Sequence, residues 1–501
     1  MDRDGRSIGS ADFLSLRIEQ APAGAMSGWL VDRIRSAVRD GRLRPDDRLP
    51  ASRTLAADLG VSRGVISEAY RRLLDDGVVV TGGRAGTLIA RAAPITGRPG
   101  TTERRPAPSG FTFDDGAGSD VFTALRAQPA RYDLSPGLPD LTAFPRTDWL
   151  RAERVVLDRL SPSSFGYGDP AGAPAFRRAV AGWLARYRGI VTDPDRIVIV
   201  AGVAQALALV CRVLRRRGLT EIAVEDPGSL GARRQLEHWD MTTVPVPVDG
   251  EGLQVDRLRA TGAPAVLVSP AHQFPMGVVL SGARRRELVD WAGDGGLIIE
   301  DDYDAEHRYD RPPVTALQAA RPDRTCYAGS VSKILAPALR IGWLIPPPGL
   351  RDDVIAAKQQ ADLGNPVLAQ LVLAELMESG RLERQLRVVR RRHQRRRDAM
   401  IEALQENLPT ATVHGAAAGL HLTVTFDRPH GEPLDDLDLA ARALAAGVKV
   451  QPLSWHRVRP GPAGLVLGYA AGPAGQLAEA IAVLASVVTA PRDDVGAHPI
   501  G

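Results

Sequence analysis

Lysine is almost absent from this chain: only Lys333, Lys358 and Lys449 interrupt a basic complement otherwise made of arginine. Cysteine is scarcer. Cys211 and Cys326 cannot build a disulfide framework or a cysteine cage, so no metal site is expected, and Cys326 reads as packed core. No apolar run reaches the ~18 residues of a membrane span. The opening Met1-Asp-Arg-Asp-Gly-Arg6 lacks the apolar core of a secretory signal, so the expected location is the cytoplasm. What is present is ordinary for a soluble protein of about three domains: 501 residues, 44% hydrophobic and 24% charged.

The scarcity of lysine draws attention to Lys333, in Ser330-Val-Ser-Lys-Ile-Leu-Ala-Pro-Ala-Leu-Arg340. Thirty residues upstream, an apolar run ends in Glu300-Asp-Asp-Tyr-Asp304. A lysine just past one strand and a carboxylate at the end of another suit pyridoxal phosphate (PLP), which needs an amine for a Schiff base and an acid for its pyridinium nitrogen. Asp301 is the candidate acid, and Tyr303 the donor to the ring oxygen. Gly202 opens a helix starting near Val203, whose N–H groups and dipole suit a phosphate. Ser330 and Arg340 add a hydroxyl and a forked cation for the same group.

These residues fall at the ends of apolar, β-branched segments: Arg196–Val200, Glu221–Val224, Ala265–Val268, Leu297–Ile299 and Cys326–Ala328. Helical spacing separates them, as in Ala204–Leu214 and Ser281–Ala292. The fold class expected is α/β, a mostly parallel sheet covered by helices, with ligands at the carboxyl ends of its strands. Residues 131–490 form this region, a large part over about 160–345 and a small α+β part over about 350–490.

A different module precedes it, over residues 12–90. Leu30, Ile34 and Ala37 make the stripe of an amphipathic helix that stops at Asp40-Gly41. Ser52 is placed to cap a second helix, Gly60 to end it, and Ser62 to cap a third running from Arg63 to about Leu74. That is a helix-turn-helix, whose last helix enters the major groove by its first residues. Val78–Thr81 and Gly86–Ile89 read as a hairpin, a wing. Residues 26–90 hold 11 arginines against 8 acidic residues, +3 of the chain's net +4, a bias compatible with phosphate contacts. Residues 91–130, rich in Pro, Gly, Ser and Thr, read as a flexible tether, and 491–501 as a disordered tail.

The N-terminal stretch resembles the winged helix of GntR-family transcription regulators through Gly41-Arg-Leu-Arg-Pro45, Arg48-Leu-Pro50, Gly60-Val-Ser-Arg63, Ala69-Tyr70 and Gly86-Thr87. The resemblance implies that Arg53, Ser62, Arg63 and Gly64 face a double-stranded DNA operator, with Arg84 at the wing tip. Residues from about Leu134 to Gly468 resemble fold type I aminotransferases. Ser135-Pro-Gly-Leu-Pro-Asp140, Gly166-Tyr-Gly-Asp-Pro-Ala-Gly172, His272-Gln-Phe-Pro-Met-Gly277, Glu300–Asp304 and Ser330–Lys333 carry the match. The order of the two modules is similar to the MocR subfamily of GntR regulators. That implies a homodimer in which Tyr167 reaches the cofactor phosphate of the neighbouring subunit, and a small amine or PLP itself as effector.

Two family features are missing. Ser229 stands where an aromatic residue usually follows the Glu-x-Pro-x strand end, and Val466 where an arginine usually holds a substrate carboxylate. A carboxylate without a bidentate cation binds poorly. Arg457 or Arg459 is a possible stand-in. These losses count against turnover of ordinary α-amino acids and lean toward sensing of the cofactor. Rival readings remain for particular stretches. Ser330-x-x-Lys333 also fits a Ser–Lys nucleophile, but without companion motifs. Gly166–Gly172 imitates a dinucleotide fingerprint broken by Pro170. Asp302 and Asp304 read as solvated turn residues, and the arginines between Arg387 and Arg397 as a solvated helix face. For the whole chain the alternative is an active PLP-dependent aminotransferase with an accessory N-terminal domain.

Overall fold

The computed structural model describes Ala21 and residues 26–81, 86–90, 111–113, 121–309, 314–426 and 434–490. They belong to two units that divide between Ser109 and Gly110. No described helix is long and apolar enough to cross a membrane.

The first unit holds three helices, α1 (Met26–Arg39), α2 (Ser52–Asp58) and α3 (Arg63–Asp75), then the hairpin strands β1 (Val79–Thr81) and β2 (Thr87–Ile89). The stripe expected on α1 is buried, with Val31 added to it. It packs with Leu55 of α2, with Leu59 just after that helix, and with Ile66 and Leu73 of α3. Gly60 turns the chain between α2 and α3 at φ +65°, a conformation glycine adopts without a Cβ clash. Capping differs from expectation. Ser52 is the first residue of α2, behind Ala51 as cap. Ser62 does precede α3, but its hydroxyl accepts no bond from that helix. Packing holds these helix starts instead, helped by the Tyr70 hydroxyl, which donates to the Pro50 carbonyl at 2.9 Å. Arg84 lies outside the described residues.

The second unit is built on an eight-stranded sheet. Its order is Val198–Val200, Gly342–Ile345, Thr325–Ser330, Leu297–Asp302, Ala265–Val268, Glu221–Asp226, Thr242–Asp249 and Gly252–Leu253. The five strands read from sequence are all present. The central pairings are parallel, while Gly342–Ile345 runs antiparallel to both neighbours. Successive side chains alternate between faces. Ile199, Tyr327 and Trp343 pack with Phe176 and Trp183 on one side. Val198, Val200, Cys326 and Leu344 pack with Val210 and Leu214 on the other. A smaller antiparallel sheet follows, in the order Ala411–His414, His421–Phe426, Gly464–Gly468 and Gln451–Pro452. The helices Arg381–Asn407 and Ala474–Thr489 cover it.

Three expectations need correction. The tether over 91–130 is shorter than read. Phe113, Val121 and Leu125 are buried in the core of the small sheet beside Leu422 and Trp455, and Val121–Ala127 forms a helix, α4. An apolar minority in a Pro- and Gly-rich stretch suffices when a finished core waits to receive it. Residues 91–110 and 114–120, and the expected tail 491–501, lie outside the described residues. The small part begins later than 350, because Val372, Leu373 and Leu376 of the helix Val367–Glu378 pack with the large sheet. Finally, the arginine series is only partly solvated. Arg387, Arg391 and Arg395 are exposed. Arg396 is buried and donates to Asp140 at 3.0 Å, and buried Arg397 donates to the Ala416 carbonyl at 2.8 Å. Their long stems bury apolar surface while the heads meet acceptors.

Candidate PLP and DNA sites

At the carboxyl end of the large sheet a cavity of about 400 Å³ opens beside Lys333. Thr325–Ser330 delivers the chain to this point, and the loop after it turns Lys333 inward. Its Nζ donates to the Gly137 carbonyl. Gly137 has φ +83°, and a Cβ there would lie 3.2 Å from that nitrogen, so the Ser135–Asp140 segment needs glycine at this point. Burial lowers the lysine below its ordinary value, against the opposing pull of Asp304 and Asp301.

The parallel neighbour Leu297–Asp302 supplies Asp301, which lines the same cavity. Burial pushes its carboxyl up to about 7, with the charges of Asp302 and Asp304 adding to the rise. One of its oxygens, Oδ1, is enclosed and has no hydrogen-bond partner. An unpartnered carboxylate oxygen in a cavity with a lysine fits a protonated pyridine nitrogen. Tyr303, also on the wall, has its hydroxyl 2.9 Å from His272 Nδ1, and Asp304 lies 2.9 Å from that same nitrogen. Burial, and then the charges of Asp304 and Asp301, hold the Tyr303 phenol well above its usual value, so it keeps its proton.

The phosphate candidates sit together at the start of the 14-residue helix Val203–Arg216, though none of them lines the cavity itself. Gly202 precedes that helix at φ +82°. Arg340 takes a left-handed conformation, φ 52°, that turns its guanidinium onto the Ala201 carbonyl. Ser330 is buried at the end of its strand. The donor set of helix N–H groups, hydroxyl and guanidinium fits a phosphate dianion. Tyr167 is not brought into this group; the residue is 96% exposed.

In the first unit, Ser62, Arg63 and Gly64 are exposed around the start of α3, and Arg53 at the start of α2. Glu68 is engaged by Arg72 at 2.9 Å and by Arg71, not by Arg63. Neither Arg53 nor Arg63 forms an ion pair among the described residues, which leaves both available to phosphates or base edges.

The model of the bacterial regulatory proteins, gntR family, matches residues 28–89, and that of aminotransferase class I and II matches residues 134–484. The HTH-type pyridoxine biosynthesis transcriptional regulator PdxR of Corynebacterium glutamicum is 33% identical over 432 residues, 85% of this chain and 88% of that protein. The protein described as "Probable rhizopine catabolism regulatory protein MocR", of Rhizobium meliloti, is 30% identical over 483 residues, 95% of this chain and 96% of its own. The chain belongs to the MocR-type transcriptional regulators. Among solved structures, the kynurenine aminotransferase of Pyrococcus horikoshii superposes with a TM-score of 0.67 at 28% identity, covering 74% of this chain and 93% of that one. An archaeal alanine:glyoxylate aminotransferase does so with 0.68 at 27%, covering 75% and 95%. The aminotransferase fold and the MocR-type kinship together imply PLP binding.

For a MocR-type chain, several residues in and around the cavity were not read correctly, or not marked at all, by local sequence. Asp304 is not a solvated turn residue: it is 1% exposed and pairs with His272. Asp302 is buried too, with Arg188 2.5 Å from it and the Tyr327 hydroxyl donating to it. The low dielectric beneath the sheet demands such partners. His421, His456 and Phe122 line the cavity from positions remote in sequence, with no local motif to mark them. The two departures have distinct outcomes. Ser229 lines the cavity and caps the helix Leu230–His238 by accepting from Ala232 N at 3.2 Å, while Phe274 supplies aromatic wall. Val466 is fully buried in the small sheet, opposite Thr423 and Gln451.

Proposed function

We propose that this regulator binds PLP covalently at Lys333 and responds, through the cavity beside it, to a small amine or to PLP itself. The response changes how its helix-turn-helix engages a DNA operator. The observation that carries this reading is the unpartnered Asp301 oxygen in the cavity that Lys333 lines. PLP, when bound, supplies an electrophilic carbon for amines and a ring able to take up electrons. The chain's own residues divide the remaining work. Lys333 is the amine that meets that carbon, and burial, by lowering its pKa, eases loss of its proton. Asp301 holds the proton on the pyridine nitrogen, and Tyr303 donates to the ring oxygen while His272 and Asp304 orient its hydroxyl. The amides after Gly202, with Ser330 and Arg340, hold the phosphate.

The protein acts as a cytoplasmic homodimer in this reading. Support comes from the almost fully exposed Tyr167 and from the exposed apolar side chains of Leu150 and Phe165. Each subunit's Tyr167 then reaches its partner's phosphate site, and the paired helix-turn-helix modules meet spaced half-sites. Arg53, Ser62, Arg63 and Gly64 make the DNA contacts. The PdxR relative, named for pyridoxine biosynthesis, supports PLP as one candidate effector.

The test pairs two variants. Lys333→Ala should abolish the visible absorbance band of lysine-bound cofactor and leave basal affinity for the protein's own upstream DNA largely intact. Arg63→Ala should keep the band and lose about 1–3 kcal/mol of DNA affinity. Equal loss of DNA binding in both would contradict the separation of roles. Multiple turnovers with amino donors and keto acids would instead favour an active aminotransferase.

A further inference from the structure

The cavity has means to meet an amine, while the usual means of meeting an acid are lost. Val466 does not line it. Of the two expected stand-ins, Arg457 spends Nη1 on the Pro462 carbonyl at 2.5 Å and Arg459 spends Nη2 on the Pro245 carbonyl at 3.3 Å; neither lines the cavity. His421 and His456 do, but burial holds both down to about 3, so they are neutral rings at neutral pH. Among the described wall residues one guanidinium remains, that of Arg126 on α4. It is exposed, with Nη2 donating to Thr123 Oγ1 at 2.8 Å. Most of its five donors stay available for a ligand.

We propose that Arg126 is the anion-recognition residue of this pocket, selecting small primary amines that carry a carboxylate over plain amines. The inference rests on the reading that the Lys333 cavity holds PLP and admits an amine, and it narrows the effector class. α4 is fastened from behind, which gives the guanidinium a fixed base. Phe122 stands edge-on to Trp455 at 5.9 Å, and Lys449 donates to the Arg126 carbonyl at 3.3 Å. Phe113 stacks on the same Trp455 at 5.5 Å. Among the described residues α4 is the first helix after the DNA-binding unit in chain order. A ligand bridging Lys333 and Arg126 therefore acts on the element where the chain enters the sensing unit.

The test is calorimetric titration of the cofactor-loaded full chain with two matched pairs, β-alanine against n-propylamine and L-leucine against isopentylamine. At least one acid should bind about tenfold or more tighter than its amine, the size of a charge-assisted pair. Arg126→Gln should erase that preference and Arg126→Lys retain part of it. Both should keep the visible band and the melting temperature, because the side chain is exposed. Equal binding of acids and amines by the unaltered protein, or a preference that survives Arg126→Gln, would overturn the proposal. A missing band in the unaltered protein would overturn the reading of the preceding subsection as well; a normal band without discrimination overturns this one alone.

Discussion

Asp301 shows how one carboxylate can be assigned a role from its discomfort. Burial raises its pKa from 3.8 to about 7, and Glu225 and Glu300 are raised to about 8 and about 7 for the same first reason. A group raised in the folded state contributes stability that is present below its unfolded value and lost as pH rises through the folded one. The cofactor-free protein should therefore melt at lower temperature as pH climbs from about 5 to about 8, and Asp301→Asn should flatten part of that slope in a pH series of melting curves. The same variant loses the charge-assisted bond to the pyridine nitrogen. It should bind PLP more weakly by about 1.5–3 kcal/mol, roughly 10- to 100-fold, in an absorbance titration. Lys333, Asp301 and Tyr303 were legible in sequence because a rare lysine and an acidic cluster each sit beside an apolar strand. His272 was visible only as a letter in a motif. Its pairing with Asp304 at 2.9 Å required the fold.

At the scale of elements, the first helix of the DNA-binding unit follows directly from apolar spacing, whereas the long helix Arg381–Asn407 shows where a charge series misleads. Its arginines look alike in sequence, yet Arg391 faces solvent and Arg396 reaches a buried Asp140. Charge alone does not report which face a neighbouring segment will cover. Arg392 also reaches Asp140, at 3.3 Å, so Arg396→Ala strips one of two cations from a buried carboxylate and should cost about 1.5–3 kcal/mol in urea denaturation. Arg391→Ala should stay within about 0.5 kcal/mol. In the first unit Ile66, fully buried on α3, should cost about 2–5 kcal/mol when cut to Ala. DNA affinity should fall with it while PLP binding remains, since the two activities belong to separate cores.

Over the whole molecule, two units with their own apolar clusters predict two calorimetric transitions rather than one. PLP should raise the midpoint of the transition belonging to residues 110–490 and leave that of the helix-turn-helix unmoved, because a ligand stabilises only the cooperative unit that binds it. A single transition that shifts as a whole would mean that the units unfold together.

Sequence by itself determined the two modules, their order, the parallel strands and the three residues around which a cofactor pocket is read. Local spacing and rare residue types carry those signals along the chain. Only the tertiary structure decided what else lines the cavity. α4 was hidden in a stretch with the composition of a tether, and His421 and His456 come from the small sheet and the 3-10 turn Leu453–His456. Packing brought them to Lys333 by closing a core around Trp455 and Leu422. Contacts between segments hundreds of residues apart depend on where a shared core can form, which no local pattern records.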